Sequence, residues 1–172
     1  MVIRPVRRAD AQDMLEIYRP FVTDNSVSFE LEPPTVEQFA ERIDTYTKRF
    51  PWFAAEENGE VVGYAYASSY RERKAYQWSV ECSVYIRPDN HGKGCARKLY
   101  DTLFEELTSL GFFNVYAIIT LPNDASVRFH QKMNFEEVGI FRRVGFKFGA
   151  WHDVLWMVRF LREGTPEGNY EL

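Results

Sequence analysis

The chain lacks the features that mark membrane-spanning, secreted and nucleic-acid-binding proteins. No segment approaches the roughly 20 consecutive apolar residues of a membrane helix, and Met1 to Pro5 contain no apolar stretch of the secretion-signal kind. Cysteine is scarce, with only Cys82 and Cys95 in 172 residues. Two thiols cannot build a four-thiolate metal site and suit a reducing compartment, so we expect free thiols, no metal and a cytoplasmic location. An excess of positive charge is also missing. The net charge of -4 removes the long-range attraction on which binding to DNA, RNA or anionic lipid relies, and no nucleic-acid or membrane partner is expected. There is no repeat, biased tract or linker, and 45% hydrophobic with 16% aromatic residues fits one folded domain.

What is present is an alternation of strand and helix signals. Val2 to Pro5 reads as a strand, followed by a helix capped by Asp10, with Ala11, Met14, Leu15 and Tyr18 on one face and Pro20 as its interruption. Thr35 and Gln38 have capping-box spacing, ahead of an inner stripe of Val36, Phe39, Ile43 and Tyr46. Phe53 to Glu56 and Val61 to Ser68 form a hairpin across Asn58-Gly59. Trp78 to Ile86 is a strand that stops before Pro88, and Ala96, Leu99, Leu103, Leu107 and Leu110 mark a strong amphipathic helix ended by Gly111. Val115 to Thr120 reads as a strand covered on both faces. A helix from Asp124 to Met133 and strands over Val138 to Arg142 and Val154 to Leu161 complete an α/β chain, one sheet with helices on both faces. Residues 163–172 read as a polar, loose tail after a domain of residues 1–162.

The chemistry concentrates in Arg87-Pro88-Asp89-Asn90-His91-Gly92-Lys93-Gly94-Cys95-Ala96-Arg97, between a strand and the strong helix. Glycines let backbone amides converge, and a helix amino terminus adds positive potential, so this loop suits a phosphate. Arg87, Lys93, Arg97 and Lys98 make it basic against Asp89 alone, opposite in sign to the whole chain. The plain alternative is a glycine turn entering a helix. A Walker A loop is excluded because its Gly-x-x-x-x-Gly-Lys-Ser/Thr order is absent. The dinucleotide fingerprint fails because Arg97 occupies its third glycine position.

His91-Gly92-Lys93-Gly94-Cys95-Ala96 resembles the Arg/Gln-x-x-Gly-x-Gly/Ala pyrophosphate motif of the Gcn5-related N-acetyltransferases (GNAT), with His91 in place of the usual Gln or Arg. The resemblance extends over most of the chain and is greatest to the phosphinothricin and methionine sulfone acetyltransferase branch. It is carried by Ser26-Val27-Ser28-Phe29 with Glu32-Pro33, by Ala75 to Tyr85, by Leu121 to His130, and by Gly145 to Val154. It implies a single mixed, mostly antiparallel sheet flanked by helices, acetyl-CoA as co-substrate, a small amino-acid-like amine as acceptor, and a homodimer.

The resemblance also implies roles. Glu81 would be the general base, its alternative being a surface glutamate paired with Arg71 or Arg73. Val84, Tyr85 and Ile86 would offer backbone groups to pantetheine. Gly92, Lys93, Gly94, Cys95, Ala96 and Arg97 would hold the pyrophosphate, and Asn123 and Ser126 would touch the cofactor, with Asn123 also read as a helix cap. His130 occupies the position of a tyrosine that protonates the leaving thiolate, against a merely structural histidine. Arg71, Glu72 and Arg73 match a substrate-contacting stretch, where guanidinium groups would pair with a carboxylate or phosphinate, or else form a solvated hairpin. Phe29 would shape the acceptor pocket. Neither cysteine has the adjacent histidine expected of a thiol nucleophile, which favours direct transfer. Two other readings stay open: an acyl-CoA-binding sensor without turnover, and an acetyltransferase acting on proteins or peptides.

Overall fold

The computed structural model describes residues 1–166. In chain order the elements are β1 (Val2–Pro5), α1 (Ala11–Thr23), α2 (Val36–Tyr46), β2 (Trp52–Glu57), β3 (Glu60–Ser69), β4 (Ser79–Ile86), α3 (Cys95–Ser109), β5 (Asn114–Thr120), α4 (Asp124–Lys132), β6 (Glu136–Lys147) and β7 (Ala150–Phe160). The strands form one sheet in the order β1-β2-β3-β4-β5-β7-β6. Neighbouring strands are antiparallel except β4 and β5, which run parallel. This is the single mixed, mostly antiparallel sheet that the sequence resemblance implied.

Helices cover both faces. α1 and α2 bury Met14, Leu15, Val22, Phe39 and Ile43 against Trp52, Ala54 and Tyr64, while α3 buries Leu99, Leu103 and Leu107 against the other face of β2–β5. Full burial of each such side chain stabilises the fold by about 1.5–3 kcal/mol. Thr35 and Gln38 form the reciprocal capping box: the Gln38 amide donates to Thr35 Oγ1 (3.2 Å) and the Thr35 amide to Gln38 Oε1 (2.8 Å). At the β2–β3 turn Asn58 and Gly59 adopt φ of 54° and 85°, the left-handed pair a tight hairpin needs.

The structure corrects several expectations. Pro20 lies inside α1: so near the carboxyl end its missing amide costs one hydrogen bond, and the turn beyond it still buries Val22. Asp10 does not cap α1 with its side chain; its carboxylate accepts from the Arg7 amide (2.6 Å) and from Arg4 (2.8 Å). Val36 is exposed at the start of α2, and β4 begins at Ser79 rather than Trp78. β5 is not covered on both faces, since Ile118 is exposed beyond the reach of α1 and α2. β6 runs longer than expected because a bulge between Phe141 and Gly145 breaks the two-residue alternation, and β7 begins earlier because Ala150 to His152 pair with Lys147 to Gly145 across the turn at Phe148 and Gly149. Of the expected tail, residues 167–172 lie outside the described residues.

Candidate active site

The site begins where β4 and β5 part. They pair only from Ser79 with Asn114 to Cys82 with Ala117, although β4 continues to Ile86 and β5 to Thr120. Each strand stays paired on its other side, β4 with β3 and β5 with β7. Ser83–Ile86 and Ile118–Thr120 therefore face a gap across which their backbone groups have no ladder partner. A cleft of about 590 Å³ fills this gap, lined by Val84, Tyr85 and Ile86 on one wall and by Asn123, Ser126 and Phe129 on the other.

The cleft ends at the amino terminus of α3, where Gly92, Gly94, Cys95, Ala96 and Arg97 line it. Gly92 and Gly94 adopt φ of 75° and 78°, which non-glycine residues reach only with strain. Gly94 is the N-cap and provides no side-chain cap, so the first amides of the helix remain free donors aimed at the loop. Lys93 is exposed and does not line the cleft. His91 does line it, and its Nε2 bonds to the Ile86 carbonyl at 3.0 Å, tying the loop back onto β4. Asn123 caps α4, its side chain accepting from the Ser126 amide at 3.2 Å, and it also lines the cleft.

The structure places His130 differently from the expectation. It is buried, 5% exposed, behind Ser126 instead of at the cleft surface. Nδ1–H donates to the Ser126 carbonyl (2.8 Å), Nε2 accepts from Tyr100 Oη (3.1 Å), and Tyr100 Oη in turn accepts from the Cys82 thiol (3.4 Å). Burial lowers its pKa, so the ring is neutral with both nitrogens engaged. These bonds brace the α4 turn that carries Ser126 against α3. Both cysteines are free, and burial pushes the Cys82 thiol up to about 12 and Cys95 up to about 11, which leaves neither as a thiolate nucleophile.

On the opposite face, Glu81 lies on the last paired stretch of β4, level with Tyr116 of β5 and Ser68 of β3. Burial raises its pKa and Arg71 opposes that rise, the two side chains being 3.5 Å apart. Arg71 also lies over Tyr70 (4.7 Å) and Trp156 (5.2 Å), and Tyr70 stacks on Tyr116 at 4.5 Å. Glu72 and Arg73 are exposed on the same segment. Thus the ion pair that sequence reading held as the alternative for Glu81 is present, in a half-buried aromatic setting that still perturbs the carboxyl.

Phe29 is fixed by its loop. Its ring packs where a Cβ at Gly145 would stand and lies 6.1 Å from the His152 ring. The loop is held by Lys147, 3% exposed, whose ammonium donates to the carbonyls of Val22 (2.7 Å), Asn25 (3.1 Å) and Ser28 (2.7 Å). Neighbouring Val27 and Phe21 line the cleft, so this clamp serves both sides of the site. Sequence reading missed Lys147, Phe21, Val27 and Phe129, because a lysine near a strand end and scattered apolar residues carry no local signature. Among the described residues no group of three or more His, Cys, Asp and Glu could hold a metal ion, and no helix is long and apolar enough to cross a membrane.

An open strand edge leading to a ring of free amides matches an extended thiol ester capped by a pyrophosphate. The family model for the acetyltransferase (GNAT) domain matches residues 3–156. Phosphinothricin N-acetyltransferase of Streptomyces viridochromogenes is 37% identical over 165 residues, 95% of this chain and 90% of that protein. The L-methionine sulfoximine/L-methionine sulfone acetyltransferase of Salmonella typhimurium is 33% identical, covering 91% of this chain and 92% of that one. A phosphinothricin acetyltransferase of Sinorhizobium meliloti, solved in complex with acetyl-CoA, superposes with a TM-score of 0.91 at 37% identity, covering 97% of this chain and 91% of that one.

Proposed function

Because the chain belongs to the GNAT acetyltransferase family, we propose that it transfers acetyl from acetyl-CoA to the α-amino group of a small amino-acid-like acceptor of the phosphinothricin, methionine sulfone and methionine sulfoximine class. The observation that carries the reading is the half-buried Glu81–Arg71 pair on the acceptor face, beside the point where β4 and β5 part. Acetyl-CoA supplies the acetyl group as an activated thioester. The α3 amides and Arg97 would hold its pyrophosphate, and the open edge at Val84–Ile86 would bond its pantetheine amides. Asn123 and Ser126 would bound it from α4.

Glu81, its pKa raised by burial, takes a proton from the acceptor ammonium, directly or through water. The freed amine attacks the thioester carbon, the C–S bond breaks with its electron pair on sulfur, and the proton that the new amide nitrogen sheds ends on the thiolate, releasing coenzyme A as the thiol. Arg71 would meet the acceptor's carboxylate while it stays paired with Glu81. The deciding test is turnover with an amine panel that includes amino acids and peptides. Glu81→Gln should lower kcat/KM about 10²–10⁴-fold with the KM for acetyl-CoA little changed. Arg71→Ala should move the acidic limb of the pH profile upward, since Arg71 opposes the effect of burial. Unchanged turnover in Glu81→Gln sinks the proposed base, and preference for peptides over free amino acids replaces the acceptor class.

We also infer a cytoplasmic homodimer. The support is an exposed apolar set on the β6–β7 hairpin, comprising Val138, Ile140, Phe141, Val144, Phe146, Phe148 and Trp151, of the kind that an association surface covers. A molar mass in solution of one chain would refute the dimer.

A further inference from the structure

Beside the acceptor face lies a second cavity, of about 270 Å³, enclosed by Glu30, Arg42, Tyr46, Trp52, Tyr64 and Tyr66. Two polar atoms of this lining are buried without a hydrogen-bond partner among the described residues, Trp52 Nε1 and Glu30 Oε2. Trp52 is only 4% exposed. Glu30 Oε1 is held by Arg42 at 2.6 Å, so the second oxygen is fixed in place near the Tyr18 hydroxyl, which also lines the cavity, without a hydrogen bond of good geometry. Native interiors rarely leave such groups unpaired, because each costs about 1–3 kcal/mol. One free donor and one free anionic acceptor in the same cavity define a complementary group that both accepts and donates.

The register connects this cavity to Glu81. Trp52 pairs with Tyr66 across β2–β3 and Tyr66 pairs with Ser83 across β3–β4, two residues from Glu81. With strands about 4.8 Å apart and a rise of about 3.4 Å per residue, the Cα atoms of Trp52 and Glu81 are about 12 Å apart. Trp52, Tyr66, Ser83 and Glu81 stand on one face of the sheet, so their side chains are separated by a distance of the same order, which a chain of five bonds, about 6 Å extended, with a hydrogen bond of about 3 Å at each end can bridge. Glu30 also follows Phe29, the residue fixed over Gly145.

Resting on the amino-acid acceptor proposed above, we propose that this cavity receives the far end of the acceptor side chain. It selects a terminal group with both an N–H donor and an oxygen acceptor, a sulfoximine or carboxamide, over one that only accepts. Trp52 Nε1–H donates to the terminal oxygen and Glu30 Oε2 accepts from the terminal N–H.

Methionine sulfoximine and methionine sulfone make the test, because they differ only in S=NH against S=O. Wild type should favour the sulfoximine about tenfold in kcat/KM, the order of one hydrogen bond to a charged partner. Glu30→Met should abolish that preference. Trp52→Phe, which keeps an aromatic wall, should weaken both substrates by a similar factor, with the KM for acetyl-CoA unchanged in each variant. Equal wild-type rates, or a preference that survives Glu30→Met, overturn the inference while leaving the acetyltransferase reading intact. If neither compound is acetylated, that reading of the acceptor falls, and calorimetric titration of both into the protein with coenzyme A decides the cavity separately. Preferential sulfoximine binding that Glu30→Met removes then upholds it, whereas no binding means a cavity filled by water only.

Discussion

Replacing Lys147 by Met tests whether the loop bearing Phe29 is held by one buried ammonium. Methionine keeps the apolar stem and deletes three donors. The Asn25 carbonyl belongs to an exposed residue and can turn to water, but Val22 and Ser28 are buried, and their carbonyls lose bonds of 2.7 Å each. Hydrogen bonds to a charged group are worth about 1.5–3 kcal/mol each, and leaving their partners unpaired forfeits most of that. Relief from burying the ammonium offsets part of the loss, for a net destabilisation of about 3 kcal/mol. At 2–4 °C per kcal/mol for a chain of this size, Tm should fall by about 6–12 °C, with a several-fold rise in the acceptor KM as Phe29 loses its seat. Thermal denaturation followed by circular dichroism, with steady-state kinetics on the same samples, reads both. A Tm within about 2 °C of wild type together with an unchanged acceptor KM would refute the clamp.

Gly145→Ala places a methyl group in the Phe29 ring and should raise the KM for the acceptor several-fold while leaving that for acetyl-CoA alone; equal changes in both would contradict the placement of Phe29. For His130, burial lowers the folded pKa below 6.5, so the unfolded chain binds the extra proton and stability falls as pH drops through 6.5. His130→Phe should flatten that slope in urea melts between about pH 7 and 5, and an undiminished slope would assign it elsewhere. For Glu81, burial raises the folded pKa above 4.5, so the ionised form costs stability at neutral pH and the cost fades as pH falls through the folded value. Glu81→Gln should therefore stabilise the fold at pH 7–8 and lose that advantage near pH 4.5; equal stabilisation at both pH values would exclude a titrating origin.

Local patterns in the sequence located most of the elements. The capping box at Thr35, the Asn58-Gly59 hairpin and the α3 stripe through Leu99, Leu103 and Leu107 each encode their geometry within a few residues, and the structure reproduces them; Leu110, read as the last member of that stripe, lies past the end of α3 at Ser109 and is exposed, because the helix stops before it can face the sheet. Features set by distant partners were not legible. Pro20 reads as a breaker because propensity is local, whereas the buried Val22 that extends α1 answers to the sheet. The bulge that lengthens β6 is held by Asp153, whose carboxylate accepts from the Arg143 amide at 2.8 Å, and no spacing rule anticipates that pair. The site divides the same way. Glycines and a helix start mark the loop that closes the cleft, but the buried position of His130 depends on Tyr100, thirty residues earlier, and the Lys147 clamp spans up to 125 positions.

The two halves of the site are joined by the alternation of one strand. In β4, Glu81, Ser83 and Tyr85 face α1, with Tyr85 edge-on to Tyr18 at 5.1 Å, whereas Cys82 and Ile86 enter the core beneath α3. A slip of one residue would carry Glu81 into that core and put a thiol in its place on the face toward α1. Gly63, opposite Ile86, opposes such a slip: a Cβ there would meet Ile86 Cδ1 at 2.5 Å, the Tyr85 carbonyl at 3.0 Å and Cys95 Sγ at 3.4 Å. The strand that presents the carboxylate and the helix that presents free amides are thus packed against the same glycine. The fold thereby sets the distance between the Glu81 carboxylate and the amino terminus of α3.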